Sequence, residues 1–208
     1  MQLGRGSGIC VVVLLVLTVA AWIPRQGLHA DSRQPRMGIF TKPDALVDLT
    51  LKFVDSSGET GALKEFIPPG RPFILVPIFY NCPRLCGLTL SGVVDLINQL
   101  PLSLETDYSV VFYSFNPDDT TRDAEAKKAV LFSRMTNSSA PQSAVRFLTA
   151  NSATIEAIND QLGFRIRYAD KELEHSSAIF ILSGNGSVRR YFAGVEFTPA
   201  GVAKSLKG

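Results

Sequence analysis

The stretch FILVPIFYNCPRLCGLTL, Phe73 to Leu90, decides the fold. Its first eight residues, Phe73 to Tyr80, are almost continuously apolar, which is the pattern of a strand buried on both faces of a sheet. Pro77 lacks the amide hydrogen a fully paired strand uses, so a bulge or local break is expected there. After Leu85, apolar residues recur at Leu88, Val93, Val94, Leu96, Ile97 and Leu100, the spacing of a helix through Leu100. The handover from strand to helix carries Cys82-Pro83-Arg84-Leu85-Cys86.

Downstream, strands and helices alternate. Tyr108 to Phe115 (YSVVFYSF) reads as a second buried strand, Thr121 to Met135 as a two-faced helix and Val145 to Leu148 as a short strand. Ser152 to Leu162 reads as a helix with a polar cap near Asn151. Ala178 to Leu182 and Val188 to Phe192 form a hairpin across Ser183-Gly184-Asn185-Gly186, and Thr198 to Leu206 is a last helix with Pro199 early in it. Upstream, Leu46 to Val54 alternates apolar and polar residues. Ser56-Ser57-Gly58 turns the chain, and Gly61 to Phe66 pairs back, giving an N-terminal hairpin closed by Pro68-Pro69-Gly70. The whole predicts an α/β protein with a central mixed sheet covered on both faces by helices. Phe79, Tyr80, Phe112, Tyr113 and Phe115 are expected in its core.

A chain of 208 residues suits one domain plus extras. With 46% hydrophobic and 19% charged residues, it belongs with globular rather than disordered sequences. Residues 1–30 read as a signal peptide or N-terminal membrane anchor: Arg5, the apolar run Ile9 to Ile23, then Leu28-His29-Ala30. That run is shorter than the roughly 20 residues of a spanning helix. Residues 31–43, with Arg33, Pro35, Arg36, Gly38 and Pro43, read as a linker, leaving 44–208 as the domain. The segment lacks the Arg- and Ser-rich character of a mitochondrial presequence, so the expected place is the bacterial periplasm, free or tethered to the inner membrane. Setting aside Arg5 and Arg25 leaves equal numbers of basic and acidic side chains, and no basic block that would bind nucleic acid.

Cys10 falls in the targeting segment, leaving Cys82 and Cys86. One close pair does not make a disulfide-stapled scaffold. Four residues apart on a helix, the two thiols share a face and can converge on one ion or on each other. Free amides at a helix start and the charge of Arg84 favour the thiolate, the form that binds metal, and soft thiolates select copper(I). A structural disulfide or a redox pair fits the spacing as well, although CxxxC is one residue longer than the CxxC of disulfide oxidoreductases. His175 is the only histidine after the targeting segment, and it precedes a core strand at a sheet end where loops carry sites.

Val76 to Leu90 (VPIFYNCPRLCGLTL) closely resembles the strand–CPxxC–helix motif of the Sco/SenC family of copper chaperones. The resemblance continues through Ser114 to Thr120 (SFNPDDT), Phe147-Leu148-Thr149, Leu162-Gly163-Phe164, His175-Ser176-Ser177-Ala178 and Arg190 to Phe197, in the same order. Arg84, Gly87 and Asn116 depart from residues common in the family. The resemblance implies a thioredoxin-like fold with an N-terminal β-hairpin extension. It also implies that Cys82, Cys86 and His175 hold one copper ion per chain, as copper(I) or copper(II). The partner it suggests is the copper-bearing subunit of cytochrome c oxidase, during assembly of its dinuclear copper centre.

The resulting expectation is a copper metallochaperone rather than an enzyme. The alternative is a thiol–disulfide oxidoreductase that reduces the partner's copper-ligand cysteines; His175 separates the two, since dithiol exchange does not require it. Asp118 and Asp119 are expected to be solvated or to cap a helix, not to bind metal. Nothing marks Thr89 or Arg122 as a peroxide-activating group, and Asn137-Ser138-Ser139 and Asn185-Gly186-Ser187 match glycosylation acceptors by chance. Tyr80 and Asn81 are candidates for shaping the copper pocket.

Overall fold

The computed structural model describes residues 37–40, 42, 44–82, 85–136, 141–169 and 172–208. The targeting segment therefore lies outside the described residues, as do Pro83 and Arg84. In chain order the elements are β1 (Gly38–Ile39), β2 (Lys52–Asp55), β3 (Thr60–Ala62), β4 (Gly70–Ile78), α1 (Leu85–Gln99), β5 (Ser109–Ser114), α2 (Thr121–Arg134) and β6 (Val145–Thr149). They continue with α3 (Ser152–Leu162), β7 (Phe164–Arg165), β8 (Arg167–Ala169), β9 (Glu172–Glu174), β10 (Ala178–Gly184), β11 (Val188–Ala193) and α4 (Pro199–Lys207).

Seven strands form one mixed sheet in the order β11-β10-β4-β5-β6-β2-β3. β4, β5 and β6 run parallel, and every other pairing in the sheet is antiparallel. All six residues of β5 and the last six of β4 are buried, as continuous apolar runs in a central parallel sheet require. Phe112 of β5 stacks on Phe147 of β6 with ring centroids 4.4 Å apart. The four helices flank this sheet.

Several expectations are corrected. Pro77 makes no bulge: β4 stays in register with β5 through Pro77 and Ile78, while its ladder with β10 runs only to Leu75, so the missing amide interrupts nothing. The irregularity lies at the other end, between Leu182 and Gly184 of β10. The N-terminal hairpin is present as β2 and β3 but is shorter than the alternation suggested: the strand begins at Lys52 rather than Leu46, and Leu63–Phe66 is a 3-10 turn rather than strand. Gly38–Ile39, within the stretch read as linker, pairs with β7, and the Phe40 amide donates to the Gly163 carbonyl at 2.7 Å.

α1 is seated by a close backbone approach. A Cβ on Gly92 would stand 1.8 Å from the Val195 carbonyl oxygen, so only glycine lets the helix lie against the segment after β11. Gly87, on the same helix, faces open space. Gly92→Ala is expected to cost about 1–3 kcal/mol of stability, as overpacking against a rigid neighbour does. Gly87→Ala should be neutral or stabilising by up to about 1 kcal/mol. Urea unfolding of the two variants checks the contrast.

Candidate metal centre

The antiparallel ladder between β4 and β10 pairs Leu75 with Phe180 and Phe73 with Leu182. The C-terminal end of β4 therefore lies beside the N-terminal end of β10. Cys82 follows the first of these ends and His175 precedes the second, so strand direction brings them together although 93 residues separate them. Cys86 lies in the first turn of α1. Cys82 is half-buried, Cys86 is 2% exposed and His175 is half-buried.

His175 Nε2 is 3.6 Å from Cys86 Sγ and 4.0 Å from Cys82 Sγ. No disulfide joins the two cysteines. The three donor atoms lie within 4.8 Å of one another, the one such group among the described residues that offers sulfur and imidazole nitrogen together. An ion bound at about 2.0–2.3 Å from thiolate and imidazole donors holds those donors roughly 3.5–4 Å apart. The two sulfur–nitrogen distances fall in that range, and two sulfurs with one nitrogen form a soft donor set suited to copper(I).

The histidine tautomer follows from its neighbour. Nδ1 lies 3.0 Å from the Ser176 carbonyl oxygen, which can only accept, so Nδ1 carries the proton and Nε2 presents its lone pair to the sulfurs. Phe115 packs against the imidazole with centroids 4.7 Å apart, fixing the ring plane. The β8–β9 hairpin leads directly into His175, and an ion pair between Arg167 and Glu174 ties its open end.

The charge state of Cys86 differs from expectation. Burial pushes its thiol well above the ordinary range, and the neighbouring Cys82 adds to the rise. The Phe79 amide, donating to Sγ at 3.2 Å, and Lys127 of α2 pull the other way without overcoming it. Position at a helix start does not favour the thiolate here because desolvation outweighs it.

Asp119 is the residue whose part the sequence concealed. It neither caps a helix nor faces solvent: it is 6% exposed, and Thr120 with Asp123 caps α2 instead. Its carboxylate accepts from the Tyr80 amide at 2.7 Å, the Ser114 hydroxyl at 2.6 Å and the Asn81 side-chain amide at 3.1 Å. Asp119 thus braces the two residues before Cys82 although burial raises its own pKa. A short acidic run in a loop carries no signal for this; only the fold shows that β4 and β5 end side by side. Tyr80 itself is core, its hydroxyl donating to the Leu148 carbonyl, while Asn81 is exposed and shapes the site through Asp119.

A mixed sheet flanked by helices, with two thiols and an imidazole gathered where a central strand gives way to a helix, defines a thioredoxin-like protein with a candidate metal centre. The SCO1/SenC family model matches residues 41–208, and the chain belongs to that family. No curated protein matches it in sequence. Among solved structures it is similar to a protein of Aquifex aeolicus VF5 (23% identity, TM-score 0.70, covering 79% of this chain and 92% of the other). It is also similar to Arabidopsis thaliana ScoI with copper bound (17%, 0.61, 76% and 96%). A third likeness is to BsSco, a member of the Sco family of cytochrome c oxidase assembly proteins in which a disulfide switch is identified (20%, 0.60, 80% and 95%). At these identities the structural likeness carries the fold alone.

Two outcomes follow from the geometry. In the reduced chain, iodoacetamide should modify Cys82 first; the rate at Cys86 should be much lower and still climb with pH beyond 9, because its thiol ionises late. Peptide mapping over time reads both. Asp119→Ala should cost on the order of 2–3 kcal/mol, since it strands the buried Tyr80 amide and leaves the Ser114 hydroxyl only its longer contact to the Asn116 carbonyl, and should speed alkylation of Cys82. Denaturant unfolding and the same mapping test it.

Proposed function

We propose that this chain is a copper metallochaperone that binds one copper ion through Cys82, Cys86 and His175. It delivers that ion to the dinuclear copper centre of cytochrome c oxidase during assembly. The observation that carries the reading is the donor set: two sulfurs and an imidazole lone pair within 4.8 Å, in a member of the SCO1/SenC family. A relative of the same fold is seen with copper bound, and another belongs to a family of oxidase assembly proteins. The N-terminal segment, as signal or anchor, would place the domain in the bacterial periplasm.

Delivery needs no net redox change. Copper(I) leaves by ligand exchange, a partner's thiolates replacing Cys82, His175 and Cys86 in turn, with each released thiolate taking up a proton. The more exposed Cys82 is the natural first point of exchange. The proton on Cys86, held tightly by burial, is displaced only when the ion binds, so apparent copper affinity should rise with pH between about 6 and 8.

The adjacent thiols, not joined by a disulfide, also support a second reading, reduction of a partner's disulfide. The Cys82 thiolate would attack one partner sulfur to give a mixed disulfide. The Cys86 thiolate would then displace the partner as a dithiol, leaving a Cys82–Cys86 disulfide and transferring two electrons.

An anaerobic copper(I) titration of the reduced chain against a chromogenic chelator separates the two. One tight copper per chain is expected, weakened 10-fold or more by His175→Ala and lost in the Cys82→Ser, Cys86→Ser double variant. Absent or weak copper binding, with disulfide reduction intact and indifferent to His175→Ala, would sink the chaperone reading in favour of the reductase.

A further inference from the structure

Two buried hydroxyls connect the helix that carries Cys86 to the strand that follows His175. Thr89 lies on α1 three residues after Cys86, and Ser177 lies two residues after His175; they are 2% and 8% exposed. Their oxygens are 2.7 Å apart. The direction of the protons follows from the partners. Ser177 Oγ lies 2.8 Å from the Gly194 carbonyl, which only accepts, so Ser177 donates there and receives the Thr89 proton. The Thr89 contact to its own helix, at the Leu85 carbonyl, is longer at 3.2 Å.

Gly194 in turn donates its amide to the Ser177 carbonyl at 2.8 Å. Its φ of +101° makes the turn that brings the end of β11 back to this point. Thr89, Ser177 and Gly194 thus form one strut joining α1 to the segments at the start of β10 and the end of β11, three residues from Cys86 and two from His175, whose Sγ and Nε2 are 3.6 Å apart. A buried hydroxyl pair has only a narrow range of good distances and angles, whereas an apolar contact at the same place would allow sliding.

We propose that Thr89 and Ser177 are positioning residues: neither touches the ion, and together they set the distance and orientation of His175 against Cys86 so that the three-donor site exists before metal arrives. The inference rests on the copper reading of the site, and its test includes a metal-free arm so that the two fail separately.

The test compares the reduced full-length chain with Thr89→Val, Thr89→Ser, Ser177→Ala, His175→Ala and the Thr89→Val, His175→Ala double variant. Thr89→Val should weaken copper(I) binding about 10-fold, as loss of a supporting partner does. Thr89→Ser, which keeps the hydroxyl, should restore it. In the His175→Ala background, Thr89→Val should cause no further loss. The metal-free arm reads the His175 imidazole by nitrogen NMR: one fixed Nδ1–H tautomer in the native chain and in Thr89→Ser, and tautomer averaging in Thr89→Val. Ser177→Ala should behave as Thr89→Val does and stands in for it if that variant does not fold. Equal copper losses from Thr89→Val with and without His175, or an unchanged imidazole spectrum, would overturn the proposal. If the native chain binds no copper, the copper reading falls and the imidazole spectrum alone decides whether the strut positions His175.

Discussion

The antiparallel register between β4 and β10 is the constraint on which the site depends. Because Leu75 faces Phe180 and Phe73 faces Leu182, the end of β4 that runs into Cys82 meets the end of β10 that follows His175. β11, paired antiparallel to β10 with Ala193 opposite Ala178, returns its own end to the same place, and there Gly194 receives the Ser177 hydroxyl. A one-residue slip between β4 and β10 would exchange side chains between the two buried layers on either side of the sheet and break their close packing, so the apolar core that fixes the register also fixes the geometry of the site. Precision at the thiols is therefore a by-product of burying Phe73 to Val76 and Ile179 to Leu182.

A second tension lies in Cys86. Burying a thiol suits packing and opposes ionisation, yet ionised sulfur is what holds a metal. The site answers with fixed partners rather than with charge: the Phe79 amide directed at Sγ, and an imidazole locked by Ser176 and Phe115 with its lone pair turned inward. Two sulfurs and one nitrogen suit a soft cation, and any ion that binds Cys86 must displace its proton.

Much of the fold was legible because it is written in period and length. The runs at Phe73–Tyr80 and Tyr108–Phe115 read as buried strands, and α3 was bounded correctly from its Asn151 cap to Leu162. The two-residue β1 and β7 and the short β8–β9 hairpin were not legible; such segments carry no periodicity, and their pairing is decided by where α3 and β10 have already placed the chain. That Cys82, Cys86 and His175 belong to one candidate site was readable from residue type, order and resemblance. Their supports were not: Asp119 looks like any loop acid, and Ser177 like any serine before a strand. What makes them matter is a partner 39 or 88 residues away, and no local pattern carries that information.

The same distance in sequence makes metal binding a property of the folded chain. Cys82 and Cys86 alone can form a loose two-sulfur chelate in an unfolded polypeptide, but the third donor is 89 residues beyond Cys86 and arrives only when β10 has docked on β4. An unfolded chain therefore offers a metal an incomplete site, while the folded chain brings all three groups together. Since an ion held more tightly by the folded form stabilises that form by mass action, a bound metal would lock β4, α1 and β10 together. Without a metal these elements are still held by the sheet, the Gly92 approach and the Thr89–Ser177 hydrogen bond, so the arrangement of the three groups does not depend on an ion.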